Sequence, residues 1–273
     1  MAEGDGVIHS MAPTRWRRRE WWSVVQFALL CAGLLWLVAR GAGAMGYNWQ
    51  WYRIPAYIYR VVDGELIWGP LARGLVVTLE ISALSLALAL AVGLLAALLR
   101  LAPSIVGRGV ARVYLEVIRN TPLLVQLYLT YFVLAPILGL DRYWTAVLCL
   151  GLFEGAFASE IFRAGILSVP RGQVEAAASL GLGAVDRYRY VVLPQAIRLM
   201  LPPLTNLAVS LIKHSSLVSV IAVFELTTQG RNIISDTYMS FEVWFTVAAI
   251  YLAVTATLSA CATLLERRLA VAR

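Results

Sequence analysis

The chain has 273 residues, of which 60 % are hydrophobic and only 14 % are charged, and its formal net charge is +7. A soluble domain carries roughly 25 % charged residues, so this composition excludes an ordinary soluble protein and favours an integral membrane protein. Basic residues at the ends of membrane spans account for the positive charge, which therefore does not indicate a nucleic-acid-binding protein. The three cysteines lie in apolar runs without a CxxC spacing, so neither a disulfide framework nor a zinc site is predicted.

Six apolar stretches follow one another along the chain, and about 20 apolar residues suffice to cross a bilayer. The first follows the basic run RWRRRE and lacks a convincing signal-peptide cleavage site, so we interpret it as a retained anchor. The double proline Pro202-Pro203 is predicted to open the fifth. The sequence thus predicts an all-α integral membrane protein with about six transmembrane helices. The predicted spans are 22–38, 75–99, 123–138, 143–167, 202–223 and 243–265.

Arginines predict the orientation of the spans. With a cytoplasmic amino terminus, the inner segments hold fifteen arginines and the outer segments hold five, as the positive-inside rule expects. Both termini are then cytoplasmic. The outer run YNWQWYRIPAYIY is rich in residues that favour the headgroup level, and it either lies on the membrane surface or docks an external protein. The predicted parts are a basic cytoplasmic tail (1–21), an anchor (22–40), an external aromatic-rich segment (41–72) and a membrane domain (73–268) with a cytoplasmic loop (168–194).

Enzyme motifs and metal-site motifs are missing from the sequence. The single lysine, Lys213, follows isoleucine in LIKHSS, whereas a P-loop needs a lysine after glycine, so the chain cannot hydrolyse ATP through such a motif. No GxSxG or HExxH pattern occurs, and the two histidines, His9 and His214, are far apart. We therefore predict no catalytic residue, no metal and no cofactor bound by this chain.

The run LFEGAFASEIFRAGI places three charges inside the fourth predicted span. Ionisable groups in spans are costly and are usually paired or functional. Glu160 and Arg163 are three residues apart on one helix face and can pair locally. Glu154 lies about 240° around the helix from Glu160 and has no basic partner nearby in the sequence, so it is the better candidate for lining a cavity.

Polar residues recur in two other predicted spans. Asn206, Ser210 and Lys213 are spaced four and three residues apart, which places them along one side of the fifth helix, beside His214. Another polar group precedes Pro122, where the proline disrupts helix continuity. Together the three segments predict a route for a small charged or zwitterionic solute. The candidate pathway residues are Asn120, Thr121, Glu154, Glu160, Arg163, Lys213 and His214.

The loop between the fourth and fifth spans contains the charged stretch EAAASLGLGAVDRYRYVVLP. Ser168 is predicted to cap a helix that has Pro170 in its first turn. The run QVEAAASL favours a helix, and Gly181 supplies its C-terminal stop. Asp186 is predicted to cap a second short helix that ends before Pro194. These features predict two short helices joined by a glycine turn.

The series Glu175-Ala176-Ala177, then Gly181, then VVLPQAIRLMLPP resembles the EAA loop of binding-protein-dependent ABC transporter permeases. With RNTPLLVQL, SEIFRAGI and LIKHSSLVSVI in the same order, the chain is similar to the polar amino acid permeases, the histidine/glutamine/glutamate/arginine group. The resemblance extends from about Gly69 to the carboxyl terminus. It implies a five-helix permease core preceded by an additional anchor helix.

This resemblance also implies partners and a mechanism. A pair of cytoplasmic ABC ATP-binding subunits would use ATP and receive the coupling loop, and a second permease, identical or homologous, would complete the pathway. An external or periplasmic binding protein would deliver a polar amino acid, which would cross the bacterial inner membrane by alternating access. The implied coupling residues are Glu175, Ala176, Ala177, Gly181 and Pro194. From the residues alone, two alternatives stay open: an ion-coupled secondary transporter with Glu154 or Glu160 as its proton site, and a membrane scaffold that does not transport.

Overall fold

Membrane-length helices make up most of the protein. The computed structural model describes residues 14–270, with side chains for 21–264 and for Glu266. Within these residues five helices are long and apolar enough to cross a membrane, and a bent pair of helices gives a sixth crossing if it is counted as one span. The predicted all-α membrane architecture of about six spans is thereby confirmed. The side of the membrane on which each terminus lies stays a prediction.

The helices fall into two length classes, and one short hairpin accompanies them. The long helices are α1 (Thr14–Ala44), α3 (Pro70–Leu101), α7 (Arg142–Leu167), α10 (Leu193–His214) and α12 (Ser240–Ala270). The shorter helices are α2 (Pro55–Ile58), α4 (Ile105–Arg119), α5 (Leu123–Leu129), α6 (Ala135–Leu138), α8 (Arg171–Ser179), α9 (Ala184–Arg187) and α11 (Leu226–Thr237). The strands are β1 (Tyr59–Val62) and β2 (Glu65–Trp68).

The hairpin lies in the external aromatic-rich segment (41–72), in which no strand was predicted from the sequence. Strands β1 and β2 pair antiparallel, with Tyr59 opposite Trp68. Their turn is Asp63-Gly64, and both residues have left-handed backbone angles (φ 53° and 84°), as a type I′ hairpin turn requires. The dipeptide Asp-Gly between VV and ELIW is a strong hairpin signal that the sequence analysis passed over.

The chain divides into two compact units, and the boundary along the sequence falls between Trp49 and Gln50, so that α1 belongs to the first unit. In the second unit α3 and α7 form the central pair. A Cβ atom added at Gly93 would lie 2.6 Å from the Cβ of Ala158 and 2.9 Å from the carbonyl oxygen of Gly155. Small residues at such contacts allow helix backbones in a membrane to approach closely. This close approach fixes the spacing of the two helices that carry most of the intramembrane charge.

Polar caps set where two helices begin. The Ser104 hydroxyl accepts the N–H of Gly107 (3.1 Å) at the start of α4, and the Asp141 carboxylate accepts the N–H of Trp144 (2.9 Å) at the start of α7. Each cap satisfies a backbone donor that the helix itself leaves unpaired. Between α4 and the segment 123–138 the chain bends by 107°. Pro122, which is extended and lacks an N–H, lies at this bend.

Two π-helical turns, Thr130–Leu134 and Tyr188–Val192, each end two residues before a proline. Proline cannot donate a backbone hydrogen bond, and its ring crowds the carbonyl of the preceding turn, so a wider turn relieves the conflict. The prediction that a short helix ends before Pro194 is therefore wrong. From Ala184 the chain stays helical through the π turn and into α10, which ends at His214.

The predicted start of the fifth span is also wrong. Helix α10 begins at Leu193, and Pro202 and Pro203 lie inside it. The Thr205 hydroxyl donates to the Pro202 carbonyl (2.8 Å). Membrane helices tolerate such prolines because neighbouring helices and polar side chains can satisfy the backbone groups that prolines leave free.

Both predicted caps of the loop helices are wrong as well. Ser168 is the C-cap of α7, and its hydroxyl donates to the Gly165 carbonyl (2.7 Å). Helix α8 begins after Pro170 without a side-chain cap. Asp186 lies in the first turn of α9, where the N-cap is Gly183. Serine and aspartate occur at the N-cap, in the first turn and at the C-terminal end of helices. The local sequence alone therefore did not distinguish these positions.

Replacing Gly93 with alanine is expected to destabilise the packing of α3 against α7 by about 1–3 kcal/mol, because the added methyl group overpacks a closed contact. Gly109→Ala is the matched control, since a Cβ atom there meets nothing within 4 Å. The measurement is thermal unfolding of the purified full-length chain in detergent, followed by tryptophan fluorescence. Equal melting temperatures for the two variants would contradict the close α3–α7 contact.

Candidate functional site

The loop between α7 and α10 ends its first helix with a glycine turn. The N–H of Gly181 donates to the Ala178 carbonyl (3.0 Å), and the N–H of Leu182 donates to the Ala177 carbonyl (3.2 Å). Gly181 has φ +80°. These two bonds and the left-handed glycine constitute a Schellman motif. The predicted glycine stop of this helix is confirmed.

The tip of this loop is open to the surroundings. A Cβ atom at Gly181 would meet nothing within 4 Å, and the flanking side chains of Leu180 and Val185 are 83 % and 78 % exposed. Large apolar side chains exposed together mark an interaction surface more often than a solvated loop. Of the other predicted coupling residues, Glu175, Ala176 and Pro194 are exposed and Ala177 is buried.

The base of the loop is packed firmly against the long helices. Val169, Val192, Ala196 and Met200 form a buried cluster, against which Val174 of α8 packs. Because the cluster joins residues of α8, α10 and the π turn, the base of the loop and the start of α10 are packed together as one dense unit.

A cavity of about 390 Å³ lies beside this cluster, and Arg171 and Arg187 are among its lining residues. The Nε atom of Arg187 is buried and has no hydrogen-bond partner among the described residues. An unpaired buried donor costs free energy that an incoming acceptor would recover. The loop therefore combines an apolar tip with a basic recess.

Glu154, on α7, is the most deeply buried of the predicted pathway residues. One of its carboxylate oxygens lies 2.6 Å from Nδ1 of His214 on α10. The side chain of Glu154 is only 4 % exposed, whereas that of His214 is 40 % exposed, and the His214 ring stands edge-on to Phe153. The partner that local spacing could not supply thus comes from a different helix. The pair joins a buried carboxylate to a histidine that other groups can reach.

Glu160 forms the centre of a cluster of arginines. Its carboxylate bonds Arg100 (2.8 Å), Arg119 (3.1 Å) and Arg163 (3.3 Å). The local pair with Arg163 is present, as predicted, while the other two arginines come from the ends of α3 and α4. The three arginines neutralise this carboxylate, so Glu160 links three helices.

Asn120 and Thr121 lie at the bend between α4 and α5. The Thr121 hydroxyl donates to the Val117 carbonyl (2.8 Å), and the Asn120 amide donates to Glu116 (2.9 Å). The Gln126 amide donates to the Ile118 carbonyl (2.7 Å) and to the Thr121 hydroxyl (2.6 Å). These bonds satisfy the carbonyls that the bend exposes. Gln126 was not predicted, although it stands in the same run, RNTPLLVQL.

The polar stripe of α10 lies partly on the surface of the chain. Asn206 and Lys213 are exposed, and Ser210 is half-buried. Among the described residues, none of these three side chains has a hydrogen-bond or ion-pair partner. Lys213 thus lies next to His214 at the end of α10, where His214 contacts Glu154. Glu160 and Arg163 belong instead to the separate arginine cluster.

Glu225 is a buried carboxylate that the sequence analysis missed. It caps α11 by accepting the N–H groups of Thr227 and Thr228 (2.7 Å each), and it accepts the Tyr251 hydroxyl (3.0 Å). Burial raises the pKa of Glu225, and the two backbone donors act in the opposite direction. The local sequence did not indicate this cap, because glutamate is not among the residues that favour the N-cap position.

Within the described part of the chain, no group of three or more histidine, cysteine, aspartate or glutamate side chains could hold a metal ion.

Comparisons with known proteins agree with one another. Residues 89–271 match the family described as "Binding-protein-dependent transport system inner membrane component". The glutamine transport system permease protein GlnP of Escherichia coli (strain K12) is 41 % identical over 215 residues, which cover 77 % of this chain and 98 % of GlnP. The octopine transport system permease protein OccM of Rhizobium radiobacter is 41 % identical over 167 residues, covering 57 % of this chain and 68 % of OccM.

A solved structure has the same fold. It is the crystal structure of an amino acid ABC transporter with histidines, and one of its chains superposes with a TM-score of 0.69 at 40 % identity. The match covers 73 % of this chain and 94 % of that chain.

Glu160→Gln is expected to lower the free energy of unfolding by about 1–3 kcal/mol, because three guanidinium groups lose their counter-charge. The loss is smaller than the roughly 3–5 kcal/mol of a fully buried pair, since the Glu160 side chain is 30 % exposed. Thermal unfolding in detergent measures the change.

Glu175→Gln is the control, because it removes an exposed glutamate without an ion pair in the described residues. Its free energy of unfolding should stay within about 0.5 kcal/mol of that of the parent chain. A drop as large as that of Glu160→Gln would contradict the stabilising role of the arginine cluster.

Proposed function

Because the chain belongs to the family of binding-protein-dependent transport system inner membrane components, we propose that it is the permease subunit of an ATP-driven importer of polar amino acids in a bacterial inner membrane. Its relatives are permease subunits of ABC amino acid transporters, in which a separate subunit hydrolyses ATP. The glutamine permease among them supports a polar amino acid as the substrate.

The polar stripe of α10 is the structural observation that best supports the proposal. Lys213 and Asn206 are exposed on a helix long and apolar enough to span the membrane. A lysine facing lipid near the bilayer centre costs about 2.5–3.5 kcal/mol or more. This face is therefore expected to border water or another protein rather than lipid. A second permease, identical or homologous, would cover it and leave the pathway between the two subunits.

A zwitterionic substrate fits the charges at this end of α10. Glu154 offers a carboxylate to an α-ammonium group, and Lys213 offers a cation to an α-carboxylate. His214, bonded to Glu154 and 40 % exposed, lies between the buried charge and the open side. Opposite charges placed on two helices would bind both ends of an amino acid and respond when the helices move.

The loop between α7 and α10 is proposed to receive the ATP-binding subunits. Its apolar tip at Leu180 and Val185 offers contact area, and the recess lined by Arg171 and Arg187 offers donors to an acidic side chain. Closure of the paired ATP-binding subunits would pull this loop and reorient α10. The chain itself supplies no P-loop for this reaction.

An external binding protein would deliver the amino acid at the opposite end of the helices. Helix α3 has 32 residues and spans about 48 Å at roughly 1.5 Å per residue. Its last turn carries Arg100, which bonds Glu160 near the loop end of α7, whereas its first turn follows the β1–β2 hairpin. The hairpin therefore lies on the side away from the loop, where delivery is proposed.

Gly181→Asp is expected to reduce transport per ATP hydrolysed by about tenfold, the effect of losing about 1.4 kcal/mol of interface free energy. The measurement uses the complex purified through a tag on this chain, with ATP hydrolysis and amino acid uptake followed together in proteoliposomes. The aspartate places a charged side chain at the open tip, where the partner is proposed to dock.

Gly181→Ala separates this effect from backbone strain. A left-handed backbone tolerates aspartate better than alanine, so strain alone predicts the larger loss for alanine. A larger loss for aspartate supports contact with a partner. Normal uptake with normal ATP hydrolysis in the aspartate variant would refute the coupling role.

Glu154→Gln and Lys213→Gln are each expected to raise the KM for uptake by about tenfold or more, because a hydrogen bond to a charged ligand contributes about 1.5–3 kcal/mol. Uptake of labelled glutamine, glutamate, arginine and histidine would be compared in the same proteoliposomes. Glu80→Gln, which alters an exposed glutamate on α3, is the control, and each variant must retain the melting temperature of the parent chain.

Two results would count against these assignments. Unchanged kinetics and substrate preference in both variants would remove Glu154 and Lys213 from the pathway. Uptake abolished by an ionophore while ATP is maintained would instead favour an ion-coupled secondary transporter.

A further inference from the structure

A cavity lined by arginines lies on the loop side of the helices, apart from Glu154 and the polar stripe of α10. It has a volume of about 230 Å³ and lies between the end of α3, the length of α4 and the last third of α7. Five guanidinium groups face two carboxylates in its lining, so that three positive charges are in excess. The lining residues are Arg100, Arg108, Arg112, Leu115, Glu116, Arg119, Glu160 and Arg163.

Two arginines of α4 in this lining have no carboxylate partner among the described residues. Glu160 pairs with the other three, but not with Arg108 or Arg112. One Nη atom of Arg108 donates to the Ala102 carbonyl (3.1 Å). Arg112 has no hydrogen-bond or ion-pair partner among the described residues. Two guanidinium groups one helical turn apart thus retain donors for an anion.

The opposite face of α4 is apolar and exposed. Helix α4 is bent by 107° from the segment 123–138, so α4 lies near the membrane plane if that segment crosses the bilayer. A helix with arginines on one face and aliphatic side chains on the other is typical of the membrane interface. The exposed aliphatic ridge consists of Ile105, Val106, Val110, Val113 and Val117, with exposed fractions of 55–79 %.

We propose that this cavity binds the phosphate group of an anionic phospholipid from the leaflet on the loop side. Basic pockets between membrane helices on the cytoplasmic side bind such headgroups. Arg108 and Arg112 would donate charge-assisted hydrogen bonds to the phosphodiester oxygens. The cavity is smaller than the roughly 300–1,000 Å³ of typical small-molecule sites, so it admits a headgroup phosphate while the acyl chains stay outside, along the aliphatic ridge.

The bound lipid would stabilise the helix junction at the bend. Arg119 ends α4 and bonds Glu160, and Arg108 and Arg112 precede it on the same helix face. A phosphate bound to α4 neutralises the repulsion among these arginines. The lipid would thereby favour the position of α4 seen here, and the effect does not depend on which solute is transported.

The test is a titration of the purified full-length chain in dodecyl maltoside with dioleoylphosphatidylglycerol, followed by the melting temperature from tryptophan fluorescence. Dioleoylphosphatidylcholine and sodium phosphate, at matched ionic strength, are the comparison ligands. Only the anionic lipid is expected to raise the melting temperature. In Arg108→Gln/Arg112→Gln the apparent affinity should fall about twenty-five-fold, since each basic residue near an anionic surface contributes roughly fivefold.

Two further variants make the result decisive. Arg108→Lys/Arg112→Lys keeps both charges and should retain most of the affinity, which shows that loss in the glutamine variant is not misfolding. Arg189→Gln/Arg198→Gln removes two exposed arginines of the π turn and α10 that line neither cavity and should bind the lipid normally; an equal loss there would overturn a specific cavity. Equal stabilisation by the neutral lipid would overturn the proposal. Stabilisation by sodium phosphate would show that the ligand of the cavity is a soluble phosphate and not a lipid, which would also overturn it.

Discussion

The carboxylate of Glu160 is the interaction on which the loop-side end of the molecule depends. A carboxylate on a membrane helix is costly unless it is paired, and Glu160 is paired with arginines from three segments. Because Arg100 ends α3 and Arg119 ends α4, the same carboxylate holds both helix ends against α7. Helix α4 consequently crosses over the end of the α3–α7 pair, and the arginine-lined cavity forms beneath it.

The two glutamates of α7 have different environments, and this difference bears on the transport mechanism. Glu160 is neutralised by fixed arginines and would not readily serve as a proton carrier. Glu154 is more deeply buried, and its partner His214 is the only one identified among the described residues. In the proposed mechanism, a substrate ammonium group would compete with this single partner for the carboxylate. The structure thus has a charge cluster that links three helices and a separate charge pair, for which a role in recognition is proposed.

The sequence predicted the spans well where one helix crosses the membrane without interruption, as in α3, α7 and α12, because apolar length alone determines such segments. It predicted the turn at Gly181 because only a left-handed glycine ends a helix in this way without strain. It failed where distant residues decide: the partner of Glu154 and two of the three partners of Glu160 come from other helices, and Pro202 and Pro203 lie inside α10. The hairpin was missed although the Asp-Gly signal is local.

The continuation of the helix past Pro194, which the sequence did not predict, has a mechanical consequence. A helix that ended before this proline would leave a joint between the loop and the pathway, and movement of the loop would be lost there. Instead the π turn Tyr188–Val192 absorbs the proline, and helical backbone continues from Ala184 to His214. Packed helical segments transmit displacement because their interiors are dense. A pull on the proposed coupling loop would therefore reach Lys213 and His214 through one continuous element, with Pro194 inside it.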